Sequence, residues 1–151
     1  MKREIKNKSE IVKKLNLLLS DYEIYYQNLR ALHWNIKGKM FFMLHEKYEE
    51  YYNQSAEIID EIAERILMLG ATPFHTYEDF LKNATIKPVK DIKDANKSVH
   101  IVLENNEVLL NKTYEALAVA DESGDEGTLA LLSDIIGGLE KTIWMLNSSI
   151  E

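Results

Sequence analysis

Residues 33–50 read HWNIKGKMFFMLHEKYEE, with a glycine at 38 flanked by His33 on one side and His45 on the other, and acids behind. Upstream of this stretch, Ile11, Leu15, Leu18, Tyr22, Tyr25, Leu29 and Leu32 recur at intervals of four and three, the spacing of one helical face. The first helix is predicted to stop near Gly38, because glycine adopts the left-handed cap conformation without a Cβ clash. Downstream, Phe41, Leu44, Tyr48, Tyr51, Ser55, Ile58, Ile62, Ile66 and Leu69 continue the same period until Gly70 and Pro73 end it. Two long antiparallel helices therefore meet at this stretch.

Further along, Thr76 with an acid three residues on opens a short helix through about Asn83, and Pro88 marks the loop beyond it. A third long helix is read from Ile92, Ala95, Val99, Val102, Leu109, Thr113, Leu117 and Ala120. The sequence DESGDEG over 121–127 breaks it, and a fourth carries Leu132, Ile136, Leu139, Ile143 and Leu146 on one face. No segment alternates as a strand would. The fold class predicted is all-α: a four-helix bundle with a short helix in the long crossover between its second and third members. Gly137 and Gly138 interrupt the fourth helix at a cost of roughly 1 kcal/mol each relative to Ala; close backbone packing is one reason for a helix to keep them.

At 151 residues the chain suits one domain, read as a short basic tail over 1–8 and a bundle over 9–151. No apolar run reaches the length of a membrane span and no apolar stretch follows the N-terminal charges, so a cytoplasmic protein is expected. The absence of cysteine excludes thiolate metal sites and a Cys nucleophile, leaving His, Asp and Glu as reactive groups. Net charge is −7, but residues 1–14 hold six cations against two acids, which leaves about −11 for the rest. Such a body repels nucleic acid and attracts cations; only the tail favours DNA.

His45, Glu49, Asp60 and Glu64 fall within an arc of roughly 100° on the second helix. Acids on a helix are ordinarily a solvated face, and Glu46, Glu50, Glu57 and Glu61 are further examples. A histidine aligned with them, and His33 closing the preceding helix, are not explained that way. Imidazole with carboxylate and no thiolate suits iron, manganese or zinc. None of the four histidines has Glu three residues before it, so the Glu-x-x-His plan of single-chain di-iron bundles is absent.

His33-Trp34, the glycine, Phe41-Phe42, Leu44-His45-Glu46-Lys47, Asp60-Glu61-Ile62-Ala63-Glu64-Arg65, Gly124-Asp125-Glu126-Gly127-Thr128 and Glu140-Lys141-Thr142-Ile143-Trp144-Met145-Leu146 together resemble the Dps family, the ferritin-like mini-ferritins that protect DNA in starved cells. The resemblance runs from the first helix to Ile150. It implies a ferroxidase that binds Fe(II), with two irons per centre, oxidises it with hydrogen peroxide and stores Fe(III) mineral in a hollow homo-dodecamer. By the same resemblance His33, His45, Asp60 and Glu64 correspond to iron ligands. Glu49 is a further ligand whose length departs from the Asp common at that position and bears on the second, weaker iron. Trp34 corresponds to a residue beside the iron centre that supplies an electron, with aromatic packing at a helix end as the alternative. Asp121 and Glu126 are similar to acids lining an iron-entry pore; Ala130 stands where some members have an acid, and Asp125 and Asp134 are candidate substitutes. Acids at a helix start are also ordinary dipole partners. His75 and His100 are expected at the surface.

Helix geometry then locates the centre. His45 and Asp60 lie 15 residues apart, about 22 Å along a straight helix, whereas metal–ligand bonds are only about 2 Å. A twofold-related antiparallel copy brings the two ends together, which places His33, His45 and Glu49 of one chain opposite Asp60 and Glu64 of another. The competing reading is a DNA-compacting, nucleoid-associated protein acting through the basic tail; so short an arm on an acidic body predicts weak binding that falls steeply with salt. The tyrosines of the first helix, with Tyr48, Tyr51 and Tyr52, exceed what one bundle core is expected to absorb and are predicted to contribute to subunit contacts.

Overall fold

The computed structural model describes residues 4–150, within which every regular element is helical: α1 (Lys8–Asn35), α2 (Phe41–Met68), α3 (Tyr77–Asn83), α4 (Ala95–Glu122) and α5 (Glu126–Ser149). The four long helices form the bundle and α3 lies in the crossover from α2 to α4. All seven apolar positions read on the first helix are buried, from Ile11 to Leu32. Lys2 and Arg3 of the basic tail lie outside the described residues; Lys6 and Lys8 are exposed, while Ile5 packs against the core.

Two helix ends differ from expectation. α1 stops at Asn35 because Ile36 turns to extended backbone, burying its side chain to 1% exposure while Lys37 N–H donates to Lys93 O at 2.9 Å. Gly38 still makes the turn, at φ +112°. α4 begins at Ala95, where the Asp94 carboxylate accepts from Lys97 N at 2.7 Å; Ile92 packs against the core from the preceding loop, next to Asp91 at φ 56°. The Thr76 cap forms as read, accepting from Asp79 N at 3.1 Å.

Three polar residues of α1 fasten the crossover to the bundle. Asn16 Oδ1 accepts from Phe74 N at 2.8 Å. Asp21 Oδ1 accepts from Thr85 N at 2.7 Å and Ile86 N at 2.9 Å. Asn28 accepts from Val89 N at 2.9 Å and donates to Lys87 O at 3.0 Å. A long connection lying on a helix has backbone groups that no ladder satisfies, and these side chains supply the partners.

The tyrosines divide, with Tyr26 and Tyr52 left half-buried at the bundle surface. Tyr22, Tyr25, Tyr48 and Tyr51 are buried inside the bundle, and two of their hydroxyls are met there: Asn106 Nδ2 donates to Tyr25 at 2.9 Å, and Tyr48 and Ser98 share a bond at 2.6 Å. A phenol whose hydroxyl finds a partner behaves as a large core residue. The exposed apolar surface includes Phe42, Met43, Met68, Tyr77, Leu81 and Trp144. Burial, partly offset by the Ser98 hydrogen bond, pushes Tyr48 up to about 12, and burial also raises Tyr22 and Tyr25. Each folded pKa exceeds the ordinary value of 10.0, so this stability is fully present below pH 10 and drains away as pH rises toward 12, where only the unfolded chain ionises. Unfolding midpoints measured across pH 8–12 should therefore hold to about pH 10 and then fall; a flat profile to pH 12 is the contrary result.

Gly137 and Gly138 are not explained by packing within the chain, since a Cβ at either meets nothing within 4 Å. Gly127 is different: a Cβ there would lie 2.8 Å from the Arg65 guanidinium.

Candidate metal centre

The end of α1 and the first turns of α2 bring His33 and His45 face to face. Their rings stack with centroids 3.7 Å apart and planes 10° from parallel. The hydrogen bonds are reciprocal: His33 Nδ1 bonds to His45 O at 2.6 Å, and His45 Nδ1 to His33 O at 2.7 Å. A carbonyl oxygen can only accept, so Nδ1 carries the hydrogen in both rings. In the neutral imidazoles each Nε2 therefore keeps its lone pair. This is the tautomer a metal requires, fixed by backbone partners behind the ring. Phe41 covers the other face of His45 at 4.7 Å, and His33 is 6% exposed.

Glu49 is next to this pair. Its Oε1 lies 3.8 Å from His33 Nε2 and accepts from the Tyr52 hydroxyl at 3.3 Å. The Tyr52 ring stands edge-on to His33 at 5.4 Å and to Tyr26 at 5.9 Å. Partial desolvation first, and the neighbouring Glu49 carboxylate second, push the Tyr52 phenol up, so it remains a donor. Tyr52 was not singled out as a site residue from sequence. The available signal was its position three residues after Glu49, which places the two side by side on α2. Trp34 is 56% exposed, with the Arg30 guanidinium over its ring at 4.8 Å and over Tyr26 at 5.5 Å. It does not pack into the core as a helix-end aromatic would.

Asp60 and Glu64 sit on the exposed surface of the C-terminal half of α2. A hydrogen bond with Asp60, together with its charge, pushes Glu64 up, as expected when two carboxylates one turn apart share a proton. A cation relieves that repulsion. α2 runs unbroken from Phe41 to Met68, so these acids remain remote from the histidines of their own chain. Among the described residues no group of three or more His, Asp or Glu is placed to hold a metal within one chain.

The candidate pore acids divide. Glu126 opens α5, where an acid complements the helix dipole, but Asp121 lies in the last turns of α4 rather than at the start of the last helix, where the dipole disfavours it. Asp125 is not a substitute pore acid. It is 2% exposed, accepts from Arg65 Nη2 at 2.7 Å and caps α5 through Thr128 N. Asp134, His75 and His100 are exposed.

This arrangement, a helical bundle presenting paired imidazoles and carboxylates, defines a ferritin-like protein, and residues 12–151 match the family model of the ferritin-like domain. The chain belongs to the Dps family of that class. It is 41% identical over 138 residues to the DNA protection during starvation protein of Porphyromonas gingivalis, covering 91% of this chain and 87% of that one. To DNA protection during starvation protein 2 of Bacillus anthracis it is 37% identical over 139 residues, 92% and 95% of the two chains. The crystal structure of the DPS protein from Vibrio cholerae O1, described as a member of a broad superfamily of ferritin-like diiron-carboxylate proteins, superposes with a TM-score of 0.94 at 44% identity, over 95% of this chain and 91% of that one. Among the described residues no helix is long and apolar enough to cross a membrane.

Proposed function

We propose that this chain is an iron-storage and detoxification protein, a ferroxidase whose centre forms between two subunits of a hollow dodecamer in the cytoplasm. His33, His45 and Glu49 of one subunit and Asp60 and Glu64 of its partner hold two Fe(II) ions as substrate. The observation that carries the reading is the reciprocal pairing of His33 and His45, which puts the ring hydrogen on Nδ1 in both and leaves both Nε2 lone pairs available to a metal. Each Fe(II) gives one electron to a shared hydrogen peroxide, which takes up two protons and leaves as two waters. The protein contributes ligand placement, while the redox chemistry belongs to iron.

In this reading Trp34, one residue beyond His33, is an auxiliary electron donor, and Arg30 over its ring keeps it beside the centre. Asp121 and Glu126 line the entry pore, and Fe(III) collects as mineral inside. Removing Fe(II) and peroxide together protects against oxidative damage, and accounts for a DNA-protecting role without requiring that DNA be bound.

Rapid-mixing measurement of Fe(II) oxidation tests the proposal, with peroxide and oxygen compared on the same preparation. Peroxide should oxidise the protein-bound iron faster than oxygen does, and His33→Ala/His45→Ala should slow that step by at least about tenfold. Wild-type rates no faster than in protein-free buffer would sink the reading.

A further inference from the structure

We propose that Tyr52 is a positioning residue of this centre, the group that holds Glu49 ready for a divalent cation; the inference rests on the ferroxidase reading above. Glu49 has a long side chain that is 53% exposed, so packing alone does not restrain it. Among the described residues its hydrogen bond is the one the Tyr52 hydroxyl donates at 3.3 Å; His33 Nε2, 3.8 Å away, carries a lone pair and cannot donate to it. The hydroxyl meets Oε1, the oxygen that also stands beside His33 Nε2, so one cation could draw on both lone pairs.

The two groups that converge on Oε1 are themselves located by other contacts. His33 is tied through Nδ1 to His45 O and stacked on the His45 ring. Tyr52 is wedged between His33 and Tyr26, with ring planes at 82° and 88° to theirs, and Arg30 lies over Tyr26. The phenol is thus set by packing, and its hydroxyl transmits that position to the carboxylate. A ligand held in place before the cation arrives loses less conformational freedom on binding, so affinity rises without any new metal contact. The substitution Tyr52→Phe keeps both ring contacts and removes only the hydroxyl.

Anaerobic titration of the assembled protein with Co(II), followed by its visible absorption, separates the possibilities. Tyr52→Phe should weaken the more weakly held ion by about tenfold, the lower end for loss of a partner that orients a ligand, and leave the tighter ion unchanged. Glu49→Ala should weaken the same ion, and adding Tyr52→Phe to Glu49→Ala should change nothing further, because the hydroxyl then has no carboxylate to hold. Wild-type affinity in Tyr52→Phe, or an undiminished effect of Tyr52→Phe on the Glu49→Ala background, overturns the role of Tyr52 while leaving the centre standing. Co(II) binding that survives intact in His33→Ala/His45→Ala overturns the centre itself, and this inference with it.

Discussion

Assemblies made only of His33→Ala/His45→Ala chains, or only of Asp60→Ala/Glu64→Ala chains, are expected to show no ferroxidase activity, and co-assembly of the two is expected to restore it. α2 is a single unbroken helix with the histidine end and the paired acids on opposite halves, so one chain cannot close a site alone. In a mixed dimer related by an antiparallel twofold, one centre receives both intact halves and the other receives both defective ones. Random pairing of equal amounts makes half the dimers mixed, each with one working centre of two, so about a quarter of wild-type activity returns. Mixed assemblies confirmed by native mass spectrometry but still inactive would place the centre elsewhere.

The second large effect is on stability. Asp125→Ala should cost about 3 kcal/mol per chain, the lower end for breaking a buried ion pair because the Arg65 side chain keeps 20% of its exposure. Three contacts are lost at once: the 2.7 Å bond from Arg65 Nη2, the cap on Thr128 N and the bond to the Thr128 hydroxyl. The guanidinium left behind faces Gly127, where the missing Cβ made room for it, and keeps the Thr128 hydroxyl accepting from Nε at 2.9 Å and the Met68 sulfur accepting weakly from Nη1 at 3.9 Å, neither of them charged. Arg65 ties α2 to the start of α5, so loosening it is expected to free the first turn of α5, which carries Glu126. Denaturant unfolding of the variant against wild type checks the magnitude; a change under 1 kcal/mol would mean that the pair contributes little.

The neighbouring Arg65 and Asp125 show how legibility divides. Both stand in stretches that resemble the Dps family, yet in sequence Asp125 is only a candidate substitute for a pore acid or a helix-dipole partner. A carboxylate after a glycine at a helix start looks the same in sequence whether it faces water or a guanidinium 60 positions earlier in the chain. The tyrosines divide for a similar reason. Bulk alone does not say which of them the core absorbs: burial of Tyr25 and Tyr48 depends on Asn106 and Ser98, whose proximity is a property of the folded bundle. Likewise Asn16, Asp21 and Asn28 looked like ordinary polar positions on α1 until the crossover was seen lying against them.

What the sequence determined by itself is whatever depends on residues a few positions apart. Apolar spacing of three and four specifies which face of each helix is buried, Gly38 and Gly70 take positive φ where the helices end, and Thr76 and Asp79 cap α3. A separation of fifteen helical positions from His45 to Asp60 already requires a second copy for any metal they share. Tertiary structure decided what depends on groups distant along the chain meeting at a set angle. The His33 and His45 rings stack and exchange Nδ1 bonds with each other's carbonyls because the turn at 36–40 folds α2 back on α1, and that exchange selects the metal-ready tautomer. Periodicity reports the direction in which a side chain leaves its helix. Hydrogen-bond partners and the proton on a ring nitrogen are set by what stands at the other end of that direction, and only the packed bundle supplies it.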